Sequence, residues 1–278
     1  MNDATRDFHR RRIGEMVVTA IFDGMVEISL DAATNISQAE ARGLQDRDLR
    51  PYPPMLPTSF FAVSMGEDSI LIDAGGAPHL DPELGLGRAS LLAAGLGPDR
   101  IRTVLMTHLH TDHYGGLILP DGTAAFPNAE LVMHGREHAA RYGGTELPPD
   151  YMRHALEPYA DRIRLIEAGQ AFPGIEAVFL PGHTAGHIGW RLRSAGEQLL
   201  IWGDVVHLPS IQFRHPEVSM SYDIDREQSA ASRQHVFAQA ARDGHLVAGM
   251  HLDFPCFGHV DASEIGYRWI PEPVSKTP

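Results

Sequence analysis

The densest chemistry in the 278-residue chain lies in Thr107-His108-Leu109-His110-Thr111-Asp112-His113. This run follows the apolar stretch Val104–Met106 and precedes Gly115-Gly116, so its imidazoles and carboxylate sit where a buried strand ends and the chain turns. Imidazole nitrogen and carboxylate oxygen are the ligand atoms that hard and borderline divalent metals take. In a turn, His108 and His110 can converge on one ion while Asp112 and His113 face a second. A His-rich surface loop or a set of hydrogen-bonded core histidines is the bland alternative. It suits a lone histidine better than this group behind a strand.

Three later segments repeat the pattern. Phe179-Leu180-Pro181-Gly182-His183 ends an apolar run in a Gly-containing turn with an imidazole. Leu199-Leu200-Ile201-Trp202-Gly203-Asp204 ends another in a carboxylate, whose two oxygens could bridge two cations. Gly249-Met250-His251 follows a third. Each candidate ligand stands at the C-terminal end of a strand, so several strands can aim them at one sheet edge.

The elements that must hold them are short apolar runs bounded by turn residues. Met16–Phe22 reads as a strand closed by Asp23-Gly24, and Ser59–Ser64 with Ser69–Asp73 as a hairpin. Val104–Met106, Leu131–Met133, Arg164–Ile166, Ala177–Leu180, Gly189–Leu192, Leu199–Trp202 and Leu246–Ala248 are further strands. A helix is expected over Arg88–Leu96, stopped by Gly97-Pro98, and a longer one over Asp225–Asp243. In the latter, Asp225 with Gln228 suits a capping box and Gly244 the C′ position. Asp31–Pro57 and Gly143–Asp150 read as loops. Strands with helices at intervals imply sheets packed together and covered by helices. No linker splits the chain, so one domain over 1–278 is expected, with 1–12 as an N-terminal arm and 271–278 as a tail.

The ligand run resembles the metallo-β-lactamase superfamily, whose signature is His-x-His-x-Asp-His followed by a distant His, Asp and His. The match extends from about Leu71 to His259. Trp202-Gly203-Asp204, Ile211-Gln212-Phe213-x-x-Pro216 and His251-Leu252-x-Phe254-Pro255-x-Phe257-Gly258-His259 are similar to the methyl parathion hydrolase-like and lactonase branch, as is the start from Ile13-Gly14 to Asp23-Gly24. The resemblance implies an α/β fold, an αββα sandwich with two metals at one edge between the sheets. Position by position, it implies His108, His110 and His183 on one metal, Asp112, His113 and His251 on the other, and Asp204 bridging. Zinc is the usual occupant. Asp73 matches the superfamily aspartate that hydrogen-bonds a ligand imidazole. Thr184 and His187 beside His183 read as structural, and His259 as packing. Lactonases of the superfamily carry a tyrosine three residues after the bridging aspartate, where this chain has His207; the nearest later tyrosine is Tyr222. Asp112, Asp204 and His207 are the candidate catalytic residues.

Bulk properties narrow the classes. A net charge of −13 opposes a nucleic-acid partner. The single Cys256 excludes an intramolecular disulfide framework and a Cys-rich zinc site. No run has membrane-span length, and Met1–Phe22 lacks the signal-peptide pattern, so a cytoplasmic protein is expected. The Arg10-Arg11-Arg12 cluster reads as part of a solvated arm, and Met55–Phe61 with that arm could pack a homodimer.

Water held between two cations about 3.5–4 Å apart loses a proton near neutral pH and serves as a nucleophile. The expected reaction is therefore hydrolysis of a small neutral ester-like substrate, a lactone or aryl ester first. A phosphotriester ranks second, because the segment after Asn128 carries His134, His138 and Tyr142 and no tryptophan for an aromatic leaving group. A non-catalytic metal-binding scaffold ranks below both, since no ligand is missing. Phe60, Phe61, Tyr114, Trp202 and Phe213 are candidate pocket aromatics.

Overall fold

The computed structural model describes residues 7–66, 68–79, 81–142, 150–169 and 171–273. The first half of the chain builds one seven-stranded sheet in sequence order: β1 Phe8–Ile13, β2 Met16–Glu27, β3 Met55–Met65, β4 Asp68–Ile72, β5 Ile101–Leu105, β6 Glu130–His134 and β7 Ile163–Ile166. The second half builds another: β8 Ala171–Phe172, β9 Ile175–Phe179, β10 Ile188–Ser194, β11 Glu197–Ile201, β12 Leu246–Ala248, β13 Phe257–Ala262 and β14 Tyr267–Pro271. Pairing is antiparallel from β1 to β4 and parallel from β4 to β7; in the second sheet only β11 and β12 run parallel. The helices are α1 Gln38–Arg47, α2 Gly87–Ala93, α3 Thr111–Tyr114, α4 Gly135–Arg141, α5 Asp150–Leu156, α6 Pro209–Gln212 and α7 Arg226–Asp243.

Side chains alternate faces along a strand, and the first sheet is apolar on both. Phe61, Val63, Ile72 and Leu105 join Trp190, Leu192 and Ile201 in the core between the sheets. Their neighbours Phe60, Ala62, Leu71 and Val104 face the other way, onto Leu91, Met152 and Tyr159 of the covering elements. Burial on both faces explains why these strands read as continuous apolar runs. Val236 and Phe237 of α7 extend the inter-sheet core around the second sheet. The sandwich expected from the resemblance is therefore the fold.

Several boundaries differ from the sequence reading. Phe8–Ile13 is not arm but edge strand, registered on β2 from Phe8↔Ile21 to Ile13↔Met16. Two of its arginines are engaged within the chain: Arg11 pairs with Glu272 at 2.8 Å and Arg10 donates to the Ala94 carbonyl at 2.6 Å. Pro271 closes β14, so the tail begins later than expected; positions 274–278 lie outside the described residues. Asp23-Gly24 does not end β2, which continues to Glu27 through a bulge after Phe22. The expected loop 31–57 contains α1, started by Ser37, whose hydroxyl accepts from the Glu40 N–H at 3.2 Å. Of the expected loop Gly143–Asp150, 143–149 lie outside the described residues and Asp150 opens α5. The long helix is as expected: Asp225 caps it through the Gln228 N–H, and Gly244 follows in the left-handed conformation.

Candidate metal centre

The run after β5 turns away from the sheet with α3 starting behind His110, which spreads His108, His110, Asp112 and His113 around one point. His183 arrives from the β9–β10 connection, Asp204 from the end of β11 and His251 from the end of β12. All seven expected residues converge, as two groups: His108, His110, His183 and Asp204; and Asp112, His113 and His251. The first sheet brings four of them and the second sheet brings three, so the cluster straddles the interface between the sheets.

The donor geometry fits cations. His110 Nδ1 lies 2.9 Å from His108 Nε2 and 3.0 Å from His183 Nε2. Such spacing suits ligand atoms about 2 Å from a common centre. Asp204 places Oδ2 3.3 Å from His183 Nε2 and 3.2 Å from His251 Nε2, and Oδ1 3.2 Å from His113 Nε2. Oδ2 thus lies between the two groups and Oδ1 faces the second. His113 Nε2 and Asp204 Oδ1 are both buried without a hydrogen bond. Buried polar atoms are almost always satisfied; a cation would satisfy these.

Outer partners set the tautomers. His113 donates from Nδ1 to Asp73 Oδ2 at 2.7 Å, and His183 from Nδ1 to Asp223 Oδ1 at 2.7 Å. His251 donates from Nδ1 to the Pro57 carbonyl at 2.9 Å. Thr107 donates its hydroxyl to Asp73 at 2.7 Å and lies 3.0 Å from His108 Nδ1. In these four rings Nδ1 is occupied, which leaves Nε2 and its lone pair facing inward, while His110 presents Nδ1; hydrogen bonds of this kind orient the imidazoles that hold a metal. Asp73 thus holds the bond expected of it; Asp223 was not foreseen.

Electrostatics point the same way. Burial depresses His108 and His110 well below the ordinary imidazole value. Burial acts equally on His113, but Asp204, Asp112 and Asp73 outweigh it and hold that ring well above. Against burial, Asp204 and Asp223 carry His183 up to about 9. The cluster is a trap for positive charge. His187, pushed down to about 3 by burial, stays neutral and accepts the Asp204 backbone N–H at 3.0 Å while donating to the Leu180 carbonyl. Gly203 permits this: its φ is +62°, and a Cβ there would lie 2.5 Å from His187 Nε2. The structural reading of His187 holds.

The metallo-beta-lactamase superfamily model matches residues 53–251, a span that includes every residue of the cluster. The chain belongs to the metallo-beta-lactamase superfamily. Among curated relatives, N-acyl homoserine lactonase AiiA of Bacillus thuringiensis subsp. kurstaki is 30% identical over 98 residues, 35% of each chain. A hydroxyacylglutathione hydrolase of Vibrio parahaemolyticus is 33% identical over 106 residues, 38% of this chain and 33% of its own. The chain thus spans about a third of the length of the curated relatives it matches. Among solved structures, hydrolase AbOPH of the beta lactamase superfamily superimposes with a TM-score of 0.92 at 29% identity, covering 99% of this chain and 100% of that one. AidC, a dizinc quorum-quenching lactonase in complex with a product, shares the fold at a TM-score of 0.88 and 23% identity, over 97% and 98% of the two chains.

In this superfamily member the cluster opens into a cavity of about 370 Å³, a size that suits a small ligand. Val26, Ile28, Leu56 and Leu84 give it apolar lining; Tyr114, Tyr151, Tyr222 and Arg141 give it donors. Of the aromatics expected there, only Tyr114 lines it. Phe61, Trp202 and Phe213 belong to the inter-sheet core and Phe60 to the outer one; strand alternation divides Phe60 from Phe61, while Trp202 follows β11 and Phe213 ends α6. His207 is buried at the cluster, with Nε2 3.1 Å from Asp204 Oδ2. Gln212 holds the His207 backbone N–H at 2.7 Å, and Tyr222 packs on its ring with centroids 5.1 Å apart.

One buried carboxylate that no motif announces ties the two sheets' contributions together. Glu137 on α4 accepts the Leu109 N–H at 2.8 Å through Oε1, and the Thr184 hydroxyl at 2.6 Å and the Gly186 N–H at 3.1 Å through Oε2. Leu109 lies between His108 and His110, and Thr184 follows His183. Gly186 approaches so closely that a Cβ there would lie 2.1 Å from the Glu137 nitrogen.

Proposed function

We propose that the protein is a binuclear metal-dependent hydrolase of a small ester-like bond, a lactone or aryl ester foremost. The observation that carries this reading is the convergence of seven His and Asp side chains, of which His110, Asp112, His183, Asp204 and His251 line a 370 Å³ cavity that also has apolar and phenolic walls. His108, His110 and His183 would hold one divalent ion, Asp112, His113 and His251 the other, with Asp204 between them; zinc is the expected metal. Bound there, the ions would supply a nucleophile from water at neutral pH and polarise the scissile carbonyl. The protein's own part is orientation. Asp112 and Asp204 remain ionised because, against the burial that opposes it, the surrounding imidazoles hold both well below the ordinary carboxylate value. His207, pushed down to about 4 by burial, is neutral and sits on Asp204. Tyr222 is part exposed, but desolvation at the cluster, with Asp204 and Asp223, raises its phenol well above the ordinary value, so it stays protonated and can donate to the carbonyl oxygen. It enters the cavity from beyond α6, and so stands in for the tyrosine that this chain lacks at position 207.

The three lining tyrosines favour one second reading, an aryl phosphotriester whose leaving group stacks among them. Proton release by zinc-loaded protein on γ- and δ-lactones, beside an aryl phosphotriester and a chelated control, separates the two. Chelator-sensitive lactone turnover above phosphotriester turnover supports the first reading. The reverse order supports the second, and no turnover of either by fully metallated protein sinks the hydrolase reading.

A further inference from the structure

Arg141, at the C-terminal end of α4, lines the metal cavity and is only half-buried there. Its Nη2 donates to the Leu109 carbonyl at 3.0 Å, which anchors the side chain between His108 and His110. Its Nε is buried without a hydrogen-bond partner, and among the described residues the guanidinium makes no ion pair. The natural partner would be Glu137, one turn earlier, since Glu at i and a cation at i+4 favour a salt bridge on a helix. Both Glu137 oxygens are taken instead by Leu109, Thr184 and Gly186. The other arginine of α4, Arg136, lies over the Phe179 ring, 5.3 Å from its centroid. Arg141 is therefore the α4 charge left to the cavity, its usual partner committed elsewhere. Its buried Nε has no acceptor among the described residues, and the guanidinium's fork of donors matches a carboxylate.

We propose that Arg141 is a specificity residue that receives a carboxylate on the substrate, set apart from the bond that is cleaved. This rests on the hydrolase reading of the same cavity and amends the expectation of a wholly neutral substrate: the ester is neutral, and a second group on the molecule is anionic. The cavity then takes a half-ester or lactone acid, its cleaved bond at the cluster and its carboxylate on Arg141.

Calorimetric binding of adipate and hexanoate to the zinc-loaded protein tests this without turnover. The two probes share a six-carbon chain and one carboxylate, which the cluster itself can take, and differ in the second. Adipate is expected to bind about 10- to 100-fold more tightly, the range of a charge-assisted bidentate contact. In Arg141→Gln that ratio collapses toward one, and Arg141→Lys retains part of it; zinc content and circular dichroism show that each variant is folded and loaded. The 4-nitrophenyl monoester of adipic acid against 4-nitrophenyl hexanoate should give the same ratio in kcat/KM. Equal binding of adipate and hexanoate by the unaltered protein overturns the proposal, whatever the variants do, and so does a preference that survives Arg141→Gln. An adipate preference with no ester turnover would sink the hydrolase reading and leave the Arg141 assignment standing. Ester turnover without the preference would do the opposite.

Discussion

Replacing Glu137 by Gln changes no atom that faces the cluster, yet it should weaken both the fold and metal retention. Turned one way, the glutamine oxygen keeps the Thr184 and Gly186 bonds and strands the Leu109 N–H; turned the other, it keeps only the Leu109 bond. Its amide then faces the Thr184 hydroxyl, which can rotate to accept, and the Gly186 N–H, which cannot. One buried backbone N–H is left without a partner, and a charge-assisted bond becomes neutral. An unsatisfied buried donor costs about 1–3 kcal/mol, so a loss near 2 kcal/mol is expected. Tm should fall by roughly 4–8 °C, because each kcal/mol moves a domain of this size by about 2–4 °C. Urea unfolding of chelator-treated protein isolates that term; the midpoint should fall with the slope unchanged. Metal retention is read separately by competition with a chelator. A loss of about 10–100-fold is expected, as for groups that orient ligands. Gly186→Ala, which pushes the loop off α4, should reproduce both effects without touching a carboxylate. Stability within about 0.5 kcal/mol of the parent, the range of an ordinary surface change, would refute the reasoning. So would lost stability with metal affinity intact, since Glu137 would then be packing alone.

Three other changes follow from the same geometry. Asp73→Asn keeps the shape but removes the charge that His113 and Thr107 donate to, so affinity for the second metal should fall by about 10–100-fold in a zinc competition assay; unaltered affinity contradicts the role given to Asp73. Asp23 is buried with its oxygens on the Gly76 and Gly87 N–H groups, at 2.7 and 2.8 Å, and burial pushes its carboxyl up to about 6 from 3.8. The folded state then holds a proton that the unfolded state has lost, so between pH 4 and pH 6 stability should drop by up to about 3 kcal/mol as pH rises. Urea titrations of metal-free protein against Asp23→Asn should show that drop in their difference, and a flat difference rejects it. Burial pushes the Cys256 thiol up to about 12, so a disulfide reagent should modify it only after unfolding; rapid labelling of the folded protein would show the site to be open.

The metal cluster was legible because four of its residues stand in one run and the other three each end an apolar run. Strand ends are written into the sequence by the hydrophobic pattern, and the fold only has to gather them. The groups that lock the cluster were not legible. Glu137, Asp223 and Arg141 take their roles from loops about 30 to 50 residues away, and nothing in their spacing marks them. Asp23-Gly24 has the composition of a turn, yet the chain bulges there and turns the carboxylate inward, because two loop N–H groups need an acceptor. Phe8–Ile13 was missed for the opposite reason. An edge strand with one neighbour can be half arginine, so it lacks the apolar run that marks an interior strand. The start of α1, in contrast, was written plainly as Ser37-x-x-Glu40 inside what was read as loop.

The division of labour between the two halves of the chain has a practical consequence. Residues 8–166 close one sheet and residues 171–271 the other, so a cut near residue 169 severs no strand pairing. Each fragment would carry part of the proposed metal cluster, with His183, Asp204 and His251 on the C-terminal piece and the His108–His113 run on the N-terminal piece. Two such pieces produced separately would meet through the core between the sheets, where Phe61 and Val63 face Trp190 and Ile201, and divalent ions would add a clasp at its edge. Zinc should tighten their association and a chelator loosen it, which makes the chain a template for a metal-tuned split protein.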